Sequence, residues 1–162
     1  MFRTICSLAV ILSFTAICAC AQTAEISVYV DEKLAGTVSQ ADLAGMPHHS
    51  VTVKEPKGDL AYEGVLLHDV LAKFGVPFGK DLRGKALSTY VLATAKDGYQ
   101  VVYALGDLDP AINDLEIVIA DKSNGQPLGE TQGPFRLIVP HDKKPARSLR
   151  MVERIDVVQL RK

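Results

Sequence analysis

Ala120-Asp-Lys-Ser-Asn-Gly-Gln-Pro-Leu128, then Gly133-Pro-Phe-Arg-Leu-Ile-Val-Pro140, then Arg147-Ser-Leu-Arg150 is the stretch on which the reading of the fold turns. Asn124-Gly125 is a turn signal, because both residue types tolerate the left-handed backbone that a tight reversal needs; Pro127-Leu128 exits it. Ahead of the turn, Glu116-Ile-Val-Ile-Ala120 has the length and branching of a buried strand. Behind it, Gly133-Pro134 fixes the chain before a second such strand, Phe135 to Val139.

Working outward, Glu25 to Asp31 alternates apolar and polar side chains, the period of a half-buried strand. Ser39 is placed to cap a short helix through Gly45, stopped at Met46-Pro47. Ser50 to Lys54 is another strand, ended by the turn-forming Pro56-Lys-Gly-Asp59. Leu67, Val70, Leu71 and Phe74 repeat at i, i+3, i+4 and i+7, which predicts a helix over 66–74 with Gly75 just past its end. Thr89 to Thr94 and Tyr99 to Tyr103 flank Lys96-Asp97-Gly98 and read as a hairpin; Leu105 to Leu108 is a helical turn before Pro110; Val152 to Val158 is the last strand. Strands outnumber helices without strict βαβ alternation. The expectation is an α+β fold, a mixed or antiparallel sheet with a few short helices. No repeat, low-complexity linker or second domain is evident.

All three cysteines, Cys6, Cys18 and Cys20, fall in the first twenty residues. Arg3, the apolar run Ile5 to Ile17 and Ala19-Cys20-Ala21 have the pattern of a cleavable export signal over residues 1–21, leaving residues 22–162 as one domain. The apolar run is about 13 residues, short of the ~18–20 needed to span a bilayer, so no transmembrane segment is expected in the mature chain. Ile17-Cys18-Ala19 before Cys20 loosely fits a lipobox, which keeps lipidation at Cys20 open. The location expected is periplasmic or secreted. A mature chain of this kind has no thiolate for a disulfide, a nucleophile or a metal. Because Arg3 is the only charged residue in the leader, 17 Lys and Arg remain against 19 Asp and Glu. That balance argues against nucleic acid as a partner.

Among candidate sites, the segment from Lys143 to Arg154 carries Lys143, Lys144, Arg147, Arg150 and Arg154 against Glu153 alone. Arg and Lys beside a backbone turn, with Ser148 adding a hydroxyl, are suited to an anion. His48, His49 and His68 read as surface residues, and His141 stands at a strand end beside the basic loop. No histidine pair has metal-ligand spacing, and G-x-S-x-G, Walker and G-x-G-x-x-G motifs are absent. Asp107 and Asp109 read as local caps.

Three blocks resemble the molybdopterin-binding domain of the sulfite-oxidase family. Val51 to Glu55 followed by Tyr62-Glu-Gly-Val-Leu-Leu-His-Asp-Val-Leu-Ala72 is similar to the family's strand and its W-x-G-V-P-L-x-D-L-L segment. Asp97-Gly-Tyr99 with Leu105 and Leu108 is similar to its D-G-Y region, and the opening stretch to its A-Y-x-M-N-G-x-P-L, G-x-P-L-R-L-V-V-P and S-V-K-W-L runs. The resemblance spans roughly residues 50 to 158 and implies a sulfite-oxidase-like molybdopterin-binding fold. It also implies that the loop after Val139 holds a pterin and its phosphate, which nominates His141, Arg147, Ser148 and Arg150. In the family a C-A-G-N-R-like motif supplies a cysteine to molybdenum. Here the chain reads Lys54-Glu55-Pro56, with Glu55 at or within a residue of that position, and the Asn-Arg pair is missing. A carboxylate is a hard oxygen donor and does not replace a soft thiolate.

The expected function is an exported, non-catalytic binding module for a pterin or a similar phosphorylated, anionic ligand. Molybdopterin is its candidate cofactor, without molybdenum, and no residue is assigned to catalysis. One alternative is an oxidoreductase whose metal is held by the pterin dithiolene and oxygen ligands such as Glu55. Another is a cofactor-free domain that reuses the fold to meet a periplasmic protein partner.

Overall fold

The computed structural model describes residues 24–55 and 58–160, and of Glu55 the backbone alone. The leader with its cysteines, and Pro56-Lys57 of the predicted turn, lie outside the described residues. In chain order the elements are β1 (Glu25–Val30), β2 (Lys33–Ser39), α1 (Gln40–Ala44), β3 (His49–Glu55), β4 (Gly58–Leu66) and α2 (Leu67–Ala72). There follow β5 (Thr89–Ala95), β6 (Gln100–Ala104), β7 (Val118–Ser123), β8 (Gln126–Pro127), β9 (Arg136–Ile138) and β10 (Val152–Gln159). Single 3-10 turns occupy Gly79–Asp81, Gly84–Ser88, Leu105–Leu108 and Pro145–Arg147.

Two sheets form. The first has the order β2-β1-β10-β5-β6 and is mixed, because β1 runs parallel to β10 while the other pairs are antiparallel. The second is antiparallel in the order β3-β4-β7-β8, with β9 also on β7. The α+β expectation holds. Inward residues alternate as strand geometry requires. Ile26 and Val28 of β1, Val91 and Ala93 of β5, and Ile155 and Val157 of β10 meet Val65 of β4, Ile119 of β7 and Leu137 in the main core. Leu67, Val70 and Leu71 of α2 join them, so the predicted helical stripe is the buried one. A smaller cluster lies on the other face of the second sheet: Val51, Tyr62, Val118, Ala120 and Ile138. Strand β7 is therefore buried on both faces, which explains its unbroken apolar run.

Several local expectations are met in detail. Ser39 caps α1 in a capping box with Asp42, and the Asn124-Gly125 reversal has both residues at positive φ, 49° and 75°. Asp109 is buried; its carboxylate accepts from the backbone N–H groups of Gly79 at 2.5 Å and Ala111 at 2.8 Å, a capping role. Helix α2 ends at Ala72, before Phe74. The remaining residues form a turn with Gly75 at φ 77°, and the Phe74 ring packs instead toward Gly36 of β2. Strands β2 and β4 were not evident from local pattern. In β2 only Val38 is fully buried, so it has no apolar alternation to read. Strand β4 bulges at Glu63 and Gly64, which breaks the period of two. Gly64 is required there: a Cβ on it would lie 2.0 Å from the Ile119 carbonyl oxygen.

Candidate functional site

The candidate site is a cleft of about 380 Å3 between the outer face of the second sheet and the β5–β6 hairpin of the first. Each wall comes from a different part of the chain. Strand β3 contributes Val53 and Lys54, and β9 contributes Arg136 and Ile138. The hairpin turn contributes Asp97 and Tyr99, and the segment from Asp142 to Arg150 closes the remaining side. Because β9 alternates, Arg136 and Ile138 face the cleft side while Leu137 points into the main core.

Two backbone bridges fix where the C-terminal wall runs. The Leu137 N–H donates to the Leu149 carbonyl at 2.8 Å, and the Val152 N–H to the Phe135 carbonyl at 3.0 Å. Residues 149–152 thus run beside β9 before entering β10, and this holds Ser148 and Arg150 at the cleft. The loop before them is tied down separately. The Tyr99 hydroxyl donates to the Ala146 carbonyl at 2.9 Å, and the buried Tyr103 hydroxyl donates to the Arg147 carbonyl. Burial pushes the Tyr103 phenol pKa well up, so it remains a donor throughout the neutral range. The Ser148 Oγ accepts from the Val139 N–H at 3.0 Å, which leaves its own O–H to donate elsewhere.

The charged residues of the lining are four cations, Lys54, Arg136, Lys143 and Arg150, against two carboxylates, Asp97 and Asp142. Arg136 is 3% exposed, so its charge sits in the floor, not on the rim. Its Nη1 donates to the Tyr62 hydroxyl at 2.5 Å and to Gln132 Oε1, and its guanidinium lies 4.9 Å from the Tyr62 ring centroid. Lys54, Lys143 and Arg150 are exposed and form the rim. A cationic floor with a cationic rim favours an anionic ligand.

Of the residues nominated from sequence, Ser148 and Arg150 line the cleft. Arg147 turns its fork to Asp142 instead, with Nε to Oδ2 at 2.8 Å and Nη2 to Oδ1 at 2.5 Å. That hydrogen bonding raises the Arg147 pKa further. His141 is exposed and lies outside the lining. Glu55 closes β3, paired with Gly58 next to the cleft residue Lys54. Sequence reading missed Arg136 as a site residue, although its signal was present: a lone arginine inside the apolar run Phe135 to Val139. Lys54, Asp97 and Tyr99 carried no signal as members of one site, because 42 residues of chain separate Lys54 from Asp97. Of the surface histidines, His68 is partly buried, paired to Asp69 at 2.8 Å and edge-on to Phe78. Among the described residues no group of three or more His, Cys, Asp or Glu is placed to hold a metal ion.

Comparison with known proteins agrees with this architecture. The crystal structure of the sulfane dehydrogenase SoxCD from Paracoccus pantotrophus superposes with a TM-score of 0.64 at 18% sequence identity, over 83% of this chain. The match covers 38% of that chain, so this protein corresponds to a minor part of its length. No curated protein matches the sequence. The family model described as the oxidoreductase molybdopterin binding domain matches residues 14–162, nearly the whole sequence. The order of the motifs, the two-sheet fold and this match agree, and the chain belongs to the oxidoreductase molybdopterin-binding domain family.

Proposed function

We propose that the protein is an exported, periplasmic or secreted binding module that holds a molybdopterin-type or similarly phosphorylated pterin in this cleft, without catalysing a reaction of its own. The observation that carries the reading is the excess of cations in a cleft whose volume lies in the range of small-molecule sites. Arg150 supplies a guanidinium fork and Ser148 a hydroxyl to the phosphate, with Lys54 and Lys143 as further rim charges. Molybdopterin, when bound, supplies a dithiolene able to carry molybdenum for redox chemistry. The chain's residues fit the pterin's anionic end. They do not reproduce the family's metal-ligating thiolate, since every cysteine precedes residue 21. The export reading is supported by the leader pattern over residues 1–21.

The test is purification without chelators from a molybdenum-replete bacterial host. Pterin is then measured by fluorescence after oxidative release and molybdenum by mass spectrometry. Pterin at one per chain without matching molybdenum is the expected result. Arg150→Ala should lower retention about tenfold, the worth of one charge-assisted hydrogen bond. It should leave thermal unfolding unchanged, because the residue is exposed. Stoichiometric pterin and molybdenum together would favour the oxidoreductase alternative, and absence of both would overturn the binding reading.

A further inference from the structure

Asp142 lines the cleft, yet its carboxylate is given over to Arg147, whose side chain is not part of the lining. The pair is not sealed in: the two side chains are 38% and 18% exposed, Arg147 the more so. The loop beneath it is held by other contacts, namely the Tyr103 hydroxyl on the Arg147 carbonyl, the Tyr99 hydroxyl on the Ala146 carbonyl and the Val139 N–H on the Ser148 side-chain oxygen. The ion pair can therefore exchange partners while the loop keeps its course. As it stands, Asp142 is one of two carboxylates in a cleft lined by four cations, and it occupies the fork of Arg147 and so turns it away from the lining.

We propose that Asp142 sets the cleft's affinity for anions: its carboxylate competes with the ligand for Arg147, so that a ligand gains this fork only by displacing a bidentate carboxylate. The chemical class that meets this demand is a phosphate ester, which offers up to two charges and several oxygens to the same fork. A neutral pterin has no group to make the exchange. Asp142 therefore holds down the cleft's affinity for phosphorylated ligands and leaves that for unphosphorylated ones alone. This inference rests on the cleft being the ligand site proposed above.

The experiment compares the wild type with Asp142→Asn, titrating each with 6-hydroxymethylpterin and with its monophosphate. The asparagine keeps the shape and removes the charge. The monophosphate should bind at least about tenfold tighter to the variant, the worth of one charge-assisted hydrogen bond released to the ligand. The neutral pterin should bind equally to both. A merely structural role for Asp142 would not make the change depend on ligand charge. Unchanged or weaker monophosphate binding with an unaltered melting temperature, or an equal gain for the neutral pterin, would overturn the assignment. Should Asp142→Asn fail to fold, Arg147→Met decides: it should weaken the monophosphate about tenfold and leave the neutral pterin alone, and unaltered monophosphate binding would refute the role. Wild-type protein that binds neither pterin sinks the cleft reading itself, together with this inference; wild-type binding without the charge-dependent change removes Asp142's role alone.

Discussion

Gly64→Ala tests the packing on which the whole second sheet depends. Gly64 lies on β4 where the register to β7 shifts, and β7 comes close enough that a Cβ would sit 2.0 Å from the Ile119 carbonyl oxygen. It would also sit 2.6 Å from the Ala120 Cα and 2.7 Å from the Ile119 carbonyl carbon. These are backbone atoms and cannot rotate aside. Normal contact requires β7 to retreat by more than about 1 Å. That strand is also bonded to β8 and β9, and Val65, Val118 and Ile119 around it are fully buried. Overpacking of this kind costs about 3 kcal/mol, at the upper end of what added core methyls usually cost. For a domain of this size that lowers the melting temperature by roughly 10 °C. The assay is thermal and urea unfolding by far-UV circular dichroism, with Gly129→Ala as control. Gly129 has no atom within 4 Å of its would-be Cβ, so the control should be neutral or slightly stabilising. A Gly64→Ala protein melting within about 2 °C of wild type would refute the close-approach argument.

Two other predictions concern smaller features. Tyr103→Phe removes the donor to the Arg147 carbonyl from a side chain 1% exposed, so it should cost about 1–2 kcal/mol; proteolysis within 140–150 should also accelerate, and unchanged cleavage would count against the tether. Ser39→Ala removes the N-cap of α1, an effect of about 1 kcal/mol at neutral pH. The cap is pH-dependent because side-chain and then backbone hydrogen bonds from Ser39 hold the Asp42 carboxyl below its ordinary 3.8. A lowered carboxyl pKa contributes stability fully above that ordinary value and loses it as pH falls through the lower, folded one. The gap between wild type and Ser39→Ala should accordingly narrow in acid, and a gap independent of pH would exclude Asp42 from the cap.

Elements whose signal is local were legible in the sequence. The Asn124-Gly125 reversal, the capping box at Ser39, the β5–β6 hairpin and the stripe Leu67, Val70, Leu71 depend on neighbours within a few residues, and each is found where the pattern puts it. Strand β2 is not legible because only one of its side chains is fully buried and its turn from β1, Asp31-Glu32, takes positive φ without the glycine or asparagine that would signal it. The parallel pairing of β1 with β10 joins opposite ends of the chain and has no local trace.

The sequence alone determined the family resemblance, the sulfite-oxidase-like fold, the placement of every cysteine before residue 21 and the basic character of 143–154. Which of those basic residues face a ligand was decided only by tertiary structure. Ser148 and Arg150 reach the cleft, whereas Arg147 turns to Asp142 and His141 stays outside the lining. Arg136, Lys54 and Tyr99 enter it from strands and turns remote in sequence. The physical reason is that charge is a property of a residue, while the partner that a charge meets is set by how two sheets pack and where the connecting loop is tied.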